Sequence, residues 1–229
     1  MKNILLIGGS YGIGQSIVEE LKETHKLFVA SRTSENLQHK NITHIPFDVT
    51  VDELDLSTLP EKLDGFVYCP GSINLKPFKM MSLETMKDDM HLNFFSLVNV
   101  IKGIISKMND KSSIVFFSTI AVSTGMPYHT SVAASKGAIE GFAKSLAAEY
   151  APKIRVNVVA PSLVDTPLAK RLLNNDKKRE AMNERHPLNR IGNAEDIAQT
   201  AIFLLSDKSS WMSGQIIGVD GGLSTLNVH

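Results

Sequence analysis

Short apolar runs alternate with longer amphipathic stretches along this chain. Ile4–Ile7 is apolar without interruption, the pattern of a strand buried on both faces. Residues 12–23 follow, with Ile13, Ile17, Val18 and Leu21 at helical spacing. The alternation then repeats. Further strands are predicted over Leu27–Ala30, Thr43–Phe47, Gly65–Cys69, Ile114–Phe117, Ile154–Val159 and Gln215–Val219. Further helices are predicted over Ser82–Met108, Val132–Tyr150 and Glu195–Ser206. Ser82 is placed to cap the second helix, and Pro152 closes the third. Unbroken apolar strands alternating with helices predict an α/β fold, a doubly wound parallel sheet of about seven strands with helices on both faces. The chain has no interior linker, repeat or low-complexity tract, so one domain spanning 1–229 is expected. Its most polar stretch is Asn174–Arg190, inside an insertion at about 165–190. That stretch reads either as a solvated excursion or as a lid over a substrate.

Composition narrows this picture only a little. The 24 basic and 24 acidic residues cancel, so charge offers no reason to expect nucleic acid or an anionic membrane as a partner. The single cysteine, Cys69, excludes an intrachain disulfide and suits a reducing compartment. The apolar run at the N-terminus is too short for the core of a signal peptide, and no stretch approaches a membrane span. A soluble, cytoplasmic protein is the expectation.

Chemistry enters at the strand ends. Gly8, Gly12 and Gly14 bracket the turn from the first strand into the first helix, with Ser10, Tyr11 and Ile13 between them. Glycines there permit a tight turn and let backbone N–H groups approach a pyrophosphate, which the helix N-terminus also favours. The second strand ends in Ser31-Arg32-Thr33, with no carboxylate at its tip. A carboxylate there would bind a ribose 2′-hydroxyl, whereas a guanidinium pairs with a 2′-phosphate. The expectation is therefore NADP(H) in preference to NAD(H), with NAD(H) possible. No metal site is expected.

The glycine-rich Gly8-Gly9-Ser10-Tyr11-Gly12-Ile13-Gly14, Lys136 at the head of a long helix, and the late Pro187–Gly192, Glu195–Ala198 and Val219-Asp220-Gly221-Gly222 occur in an order that resembles the short-chain dehydrogenase/reductase family. The resemblance covers nearly the whole chain and implies a Rossmann fold. It implies that Asp48, followed by Val49, meets the adenine amino group. It places Cys69-Pro70-Gly71 where the family usually has Asn-Ala-Gly, so only Gly71 matches. Cys69 is not expected to act as a nucleophile. Pro161-Ser162 stands where the family has Pro-Gly. The resemblance puts Leu163, Val164 and Thr166 beside the nicotinamide. It also implies a homodimer or homotetramer.

For catalysis, the resemblance implies Asn93 as the residue holding a water behind Lys136. Lys136 itself also binds the nicotinamide ribose. Thr119, or Ser118 beside it, is implied as the hydroxyl that polarises the substrate. The family's proton donor, a tyrosine four residues before the lysine, is missing: Val132 stands there. A helix turns about 100° per residue, so His129, seven before Lys136, falls within about 20° of the lysine's face. Tyr128 is about 80° away, and better placed if the helix starts late. The enoyl-reductase branch of the family carries its tyrosine seven before the lysine, where this chain has His129. Two functions remain open: a reductase of a small carbonyl or enoyl substrate with a non-standard proton donor, or a cofactor-binding sensor without turnover.

Overall fold

The computed structural model describes residues 1–228. Seven strands form one parallel sheet in the order β3-β2-β1-β4-β5-β6-β9. They are β1 Asn3–Ile7, β2 Lys26–Ser31, β3 Ile42–Pro46, β4 Leu63–Tyr68, β5 Met108–Phe117, β6 Ile154–Pro161 and β9 Ile216–Val219. Two further short strands, β7 Val164–Asp165 and β8 Gly192–Asn193, pair only with each other.

Strand side chains alternate between two cores. Leu5, Ile7, Phe66, Tyr68, Ile114 and Phe116 point to one face. There they meet Leu97, Val100, Ile101 and Ile104 of α3 (Ser96–Ile104) and Ile139, Ala143 and Leu146 of α5 (Thr130–Tyr150). Ile4, Leu6, Val67, Val115 and Phe117 point to the other face. They meet Ile17, Val18 and Leu21 of α1 (Gly12–Leu21) and Ile197, Ala198, Ala201 and Leu204 of α7 (Ala194–Leu205). Each fully buried aliphatic or aromatic side chain stabilises the fold by roughly 1.5–3 kcal/mol, which explains why the central strands are apolar over Ile4–Ile7 and Ile114–Phe117.

The strand order reverses between β1 and β4, because the chain runs outward to β2 and β3 and then returns to the other side of β1. A crevice opens beyond the carboxyl ends of strands at such a reversal.

Three expectations need correction. The helix predicted over Ser82–Met108 is not one helix. It breaks into α2 (Leu83–Met90), a π-helical turn over His91–Phe95 and α3, and Met108 already belongs to β5. β5 starts six residues earlier than its apolar run, because Met108 pairs with Leu63 before a register shift brings Ser113 opposite Gly65. The third long helix starts at Thr130 rather than Val132. The insertion at about 165–190 contains β7 and the helix α6 (Asp176–Glu184), and pairing of Val164 with Gly192 closes it at the base. The short helix α4 (Ala121–Thr124) completes the set. No helix among the described residues is long and apolar enough to cross a membrane.

Candidate active site

A cavity of about 890 Å³ runs along the carboxyl ends of β1, β2, β4, β5 and β6. Every cofactor-binding residue expected from the sequence lines it: Gly8, Ser10, Tyr11, Gly12, Ile13, Gly14, Ser31, Arg32, Thr33, Asp48, Val49, Cys69, Pro70, Gly71, Pro161, Ser162, Leu163, Val164 and Thr166.

The glycine turn is built by close packing. Gly8 adopts φ 81°, in the left-handed region. A Cβ on Gly14 would lie 2.1 Å from the carbonyl oxygen of Gly8, so only hydrogen fits where α1 leaves the strand. The backbone thus comes close enough to the helix N-terminus to cradle an anion. At the tip of β2 the polar groups interlock. The Ser31 hydroxyl donates to the Thr33 carbonyl at 2.8 Å, Thr33 Oγ1 donates to Ser10 Oγ at 3.0 Å, and Arg32 Nη2 donates to the Tyr11 hydroxyl at 3.3 Å. Arg32 is exposed and makes no ion pair among the described residues. Asp48 accepts from the hydroxyl and N–H of Thr50 at 2.7 and 3.0 Å, and these bonds hold its carboxyl below the usual range.

The other end of the cavity holds the expected chemical residues. Lys136 is buried, and its Nζ donates to the Phe117 carbonyl at 3.0 Å. Burial lowers its pKa to about 8. Cys69, beside it, is pushed up to about 12 by burial, which leaves its thiol inert. Gly71 packs against this lysine: a Cβ there would sit 3.2 Å from Asn93 Oδ1 and 3.3 Å from Lys136 Nζ. Asn93 lies in the π-helical turn and is fully buried. Its Nδ2 donates to Ser72 Oγ at 3.0 Å and Ser135 Oγ at 3.1 Å, and its Oδ1 accepts from the Ser72 N–H at 3.3 Å.

The two candidate hydroxyls differ. Ser118 donates its proton to Glu140 at 2.5 Å. Thr119 Oγ1 only accepts, from the N–H of Ala121 at 3.3 Å, so its proton is free to point into the cavity it lines.

Val132, His129 and Tyr128 all line the cavity. His129 is the N-cap of α5, and its carbonyl accepts from the N–H of Ala133 at 2.8 Å. Its Nδ1 lies 2.7 Å from the Pro127 carbonyl, which can only accept, so this nitrogen carries the hydrogen and Nε2 is bare in the neutral ring. Tyr128 has φ 70° and is 57% exposed. Neither side chain is hydrogen-bonded to Asn93, Ser135 or Lys136.

Sequence reasoning missed a second polar layer behind the cavity. Asp89 is 1% exposed, and its carboxylate accepts from the hydroxyls of Ser72 and Ser131 and from Asn74 Nδ2 at 2.7 Å. One signal pointed to it: Asp89 lies four residues before Asn93, on the same helical face. His186 was also missed. It is buried, Nδ1 donates to the Met182 carbonyl at 2.7 Å, and Nε2 accepts from the Ser162 hydroxyl at 2.8 Å. His186 thereby ties the insertion to the carboxyl end of β6.

A turn–helix cradle at a strand-order reversal, with a buried lysine and asparagine at its far end, defines a dinucleotide-dependent oxidoreductase architecture. Comparison with known proteins agrees. A family profile described as Enoyl-(Acyl carrier protein) reductase matches residues 9–224. The chain is 31% identical to 3-oxoacyl-[acyl-carrier-protein] reductase FabG of Chlamydia trachomatis serovar D over 97% of both chains. A short-chain dehydrogenase family protein of Francisella tularensis superposes with a TM-score of 0.91, at 32% identity, over 99% of this chain and 100% of the other. ElxO, solved with NADP bound, superposes with a TM-score of 0.85 at 25% identity, over 99% and 100%. The chain belongs to the short-chain dehydrogenase/reductase family, a family of oxidoreductases.

Proposed function

We propose that this protein is an NADP(H)-dependent oxidoreductase that reduces a small carbonyl or enoyl substrate without a tyrosine at the usual position. The observation that carries the reading is the intact far end of the cleft, where Gly71 packs closely against both Asn93 and Lys136 under a cavity large enough for cofactor and substrate together. When bound, the dinucleotide supplies or accepts hydride at its nicotinamide.

The residues present fit such a group. Gly8 and Gly14 leave room for a pyrophosphate at the start of α1. Arg32 and Tyr11, with Ser10 and Thr33 below them, offer donors to a 2′-phosphate, and no carboxylate at the tip of β2 repels it. The NADP-bound neighbour supports the same preference. Lys136 donates to the ribose hydroxyls. Thr119, whose proton is free, polarises the substrate oxygen. Val132 holds no proton to give, so the donor is another group. His129 and Tyr128 are the candidates at the cavity wall, and His129 can give a proton only as the imidazolium, because Nδ1–H is held by Pro127.

The insertion carries Arg171, Lys178, Met182 and Arg185 to the cavity. We assign it the role of substrate lid, anchored by His186 on Ser162. Assembly into a homodimer or homotetramer is also part of this reading. Trp211 is fully exposed beside β9, which forms an edge of the sheet. Gel filtration giving a single chain of 25.1 kDa would count against assembly.

The test is NADPH oxidation on a panel of ketones, aldehydes and enoyl thioesters, beside direct titration of NADPH binding. Turnover on some member supports the reading. Tight NADPH binding with no turnover on the whole panel favours the alternative, a cofactor-responsive binding protein, a reading motivated by Val132 and by Cys69-Pro70 standing where the family usually has asparagine and alanine.

A further inference from the structure

We propose that the substrate of this cleft carries an oxyanion, a carboxylate or a phosphate, away from its reacting carbon, and that Arg171, Lys178 and Arg185 of the insertion bind it. The proposal deepens the oxidoreductase reading above and rests on it. It starts from the sign of the cavity wall. Five cationic side chains line the cavity, Arg32, Lys136, Arg171, Lys178 and Arg185, against one carboxylate, Asp48. Over the whole chain the two signs are equal, at 24 each, so composition does not produce this excess. Asp48 stands at the adenosine end, close enough to Arg32 for their charges to interact. No acidic side chain of the wall is left for the three cations of the insertion.

The helix α6 sorts its charges by face. A helix turns about 100° per residue, so Lys178, Met182 and Arg185 fall within about 60° of one another. All three line the cavity. Asp176, Glu180 and Glu184 fall on the opposite side of the helix, and none of them lines it. Ion pairing follows the same division. The other two arginines of the insertion, Arg179 and Arg190, lie outside the cavity and donate to Asp165 and Asp196, each at 2.6 Å. Arg171, Lys178 and Arg185 enter no ion pair among the described residues. Like charges gathered on one wall repel one another and add nothing to the fold. An oxyanion between them relieves that repulsion.

Arg185 also reaches across to another wall of the cavity. Its Nη2 donates to Met126 Sδ at 3.9 Å, on the segment that leads into Tyr128 and His129. A thioether is a weak acceptor, whereas a carboxylate or phosphate takes both arms of a guanidinium. An oxyanion therefore displaces this contact readily and is held beside the candidate proton donors. Leu168, Leu172 and Met182 give the insertion an apolar wall as well. The chemistry suits a compound with a carbonyl or enoyl group at one end, a short apolar middle and an oxyanion at the other.

Two measurements on the full chain test the site. In the first, NADPH oxidation is compared within matched pairs: short oxo and enoyl acids against their methyl esters, and dihydroxyacetone phosphate against dihydroxyacetone. We expect kcat/KM to favour the charged member of one kind of pair about tenfold or more, the value of a hydrogen bond from a charged donor. The kind of pair that shows it separates carboxylate from phosphate. All three side chains are exposed, so Arg171→Gln, Lys178→Gln and Arg185→Gln can be combined without disturbing the core. The triple variant should bring the ratio to about one through a rise in KM, with NADPH affinity as in the wild type. Lys177→Gln removes a charge from the same helix outside the cavity and should keep the wild-type ratio. In the second, the same charged compounds are titrated calorimetrically into the protein saturated with NADP⁺, where no reduction occurs. Binding is expected for the favoured compound and is lost in the triple variant.

Equal kcat/KM within every pair, or a ratio that survives the triple variant, overturns the oxyanion site and leaves the oxidoreductase reading standing. A triple variant that loses NADPH affinity instead assigns the cations to the cofactor and also overturns the site. Absence of binding by every charged compound overturns it whatever the turnover. Binding that vanishes in the triple variant, with no turnover of any pair by the wild type, supports the site and overturns the oxidoreductase reading.

Discussion

The two ends of the cleft are built by different means. The cofactor end is made of backbone: Gly8 in a left-handed turn, Gly14 pressed on its carbonyl, and strand tips that converge because the sheet reverses at β1. At Gly14 no side chain can be added without moving main chain. The chemical end is made of side chains on separate elements: Ser72 after β4, Asp89 on α2, Asn93 in a π turn and Lys136 on α5. A proton can be routed through more than one such arrangement. The difference explains how a chain can keep the family's cradle and yet place Val132 where a tyrosine is usual.

If the cradle depends on backbone contact, its breakage should have the largest effect. Gly14→Ala puts a methyl 2.1 Å from the Gly8 carbonyl, which requires main chain to shift. We expect a loss of about 3 kcal/mol, shared between folding and NADPH affinity, as overpacking commonly costs. Thermal melting together with fluorescence titration of NADPH would show it. An unchanged affinity would mean that the turn is not the cradle.

Lys136 joins the two ends, so its removal should injure both. Lys136→Met is expected to weaken NADPH about tenfold or more, the value of one hydrogen bond from a charged donor, and to abolish turnover. It also changes the pH dependence of stability. Burial holds the folded pKa at about 8 against 10.5 in the unfolded chain. Between those values the unfolded chain binds more protons, so this group makes stability rise with pH there. Denaturant unfolding at pH 8 and pH 10 should show that rise in the wild type and lose it in Lys136→Met.

The sheet and the cradle were readable in the sequence for a physical reason. A strand buried on both faces must be apolar throughout, and Ile4–Ile7 and Ile114–Phe117 could be little else. The π turn over His91–Phe95 was not readable. Apolar spacing near 3.6 tolerates one widened turn, and the turn shows only when Asn93 is drawn inward to Ser72 and Ser135. The early start of β5 was hidden because Asn109–Ser113 are polar, and the strand there is fixed by pairing of Met108 and Ser113 with β4 and of Ser112 and Ser113 with β6. Asp89 was hidden for the opposite reason. An acidic residue in the run Lys87-Asp88-Asp89 reads as solvent-facing, and only the packing of α2 on α5 buries it.

A smaller effect sharpens the comparison at the adenosine edge. Arg32→Glu should lower NADPH affinity about 10–100-fold relative to NADH, through loss of the guanidinium and repulsion of the 2′-phosphate. Parallel dissociation constants for the two cofactors measure it. NADH bound more tightly than NADPH by the wild type would overturn the preference itself. The smallest effect falls at Cys69. With its thiol pushed up to about 12, it should resist a thiol reagent at pH 8 in the folded protein and react at once in denaturant. Rapid labelling of the native chain would show that the cofactor end opens more readily than its packing implies.

The central claim is that the cleft transfers hydride although Val132 replaces the usual donor. It is tested most directly by supplying NADPH deuterated at the nicotinamide C4 and weighing the products of the carbonyl and enoyl panel by mass spectrometry. The account predicts a product carrying a single deuterium on the former carbonyl or enoyl carbon, formed by the wild type and suppressed by Lys136→Met. Tight binding of the labelled cofactor with no deuterium in any product would contradict it.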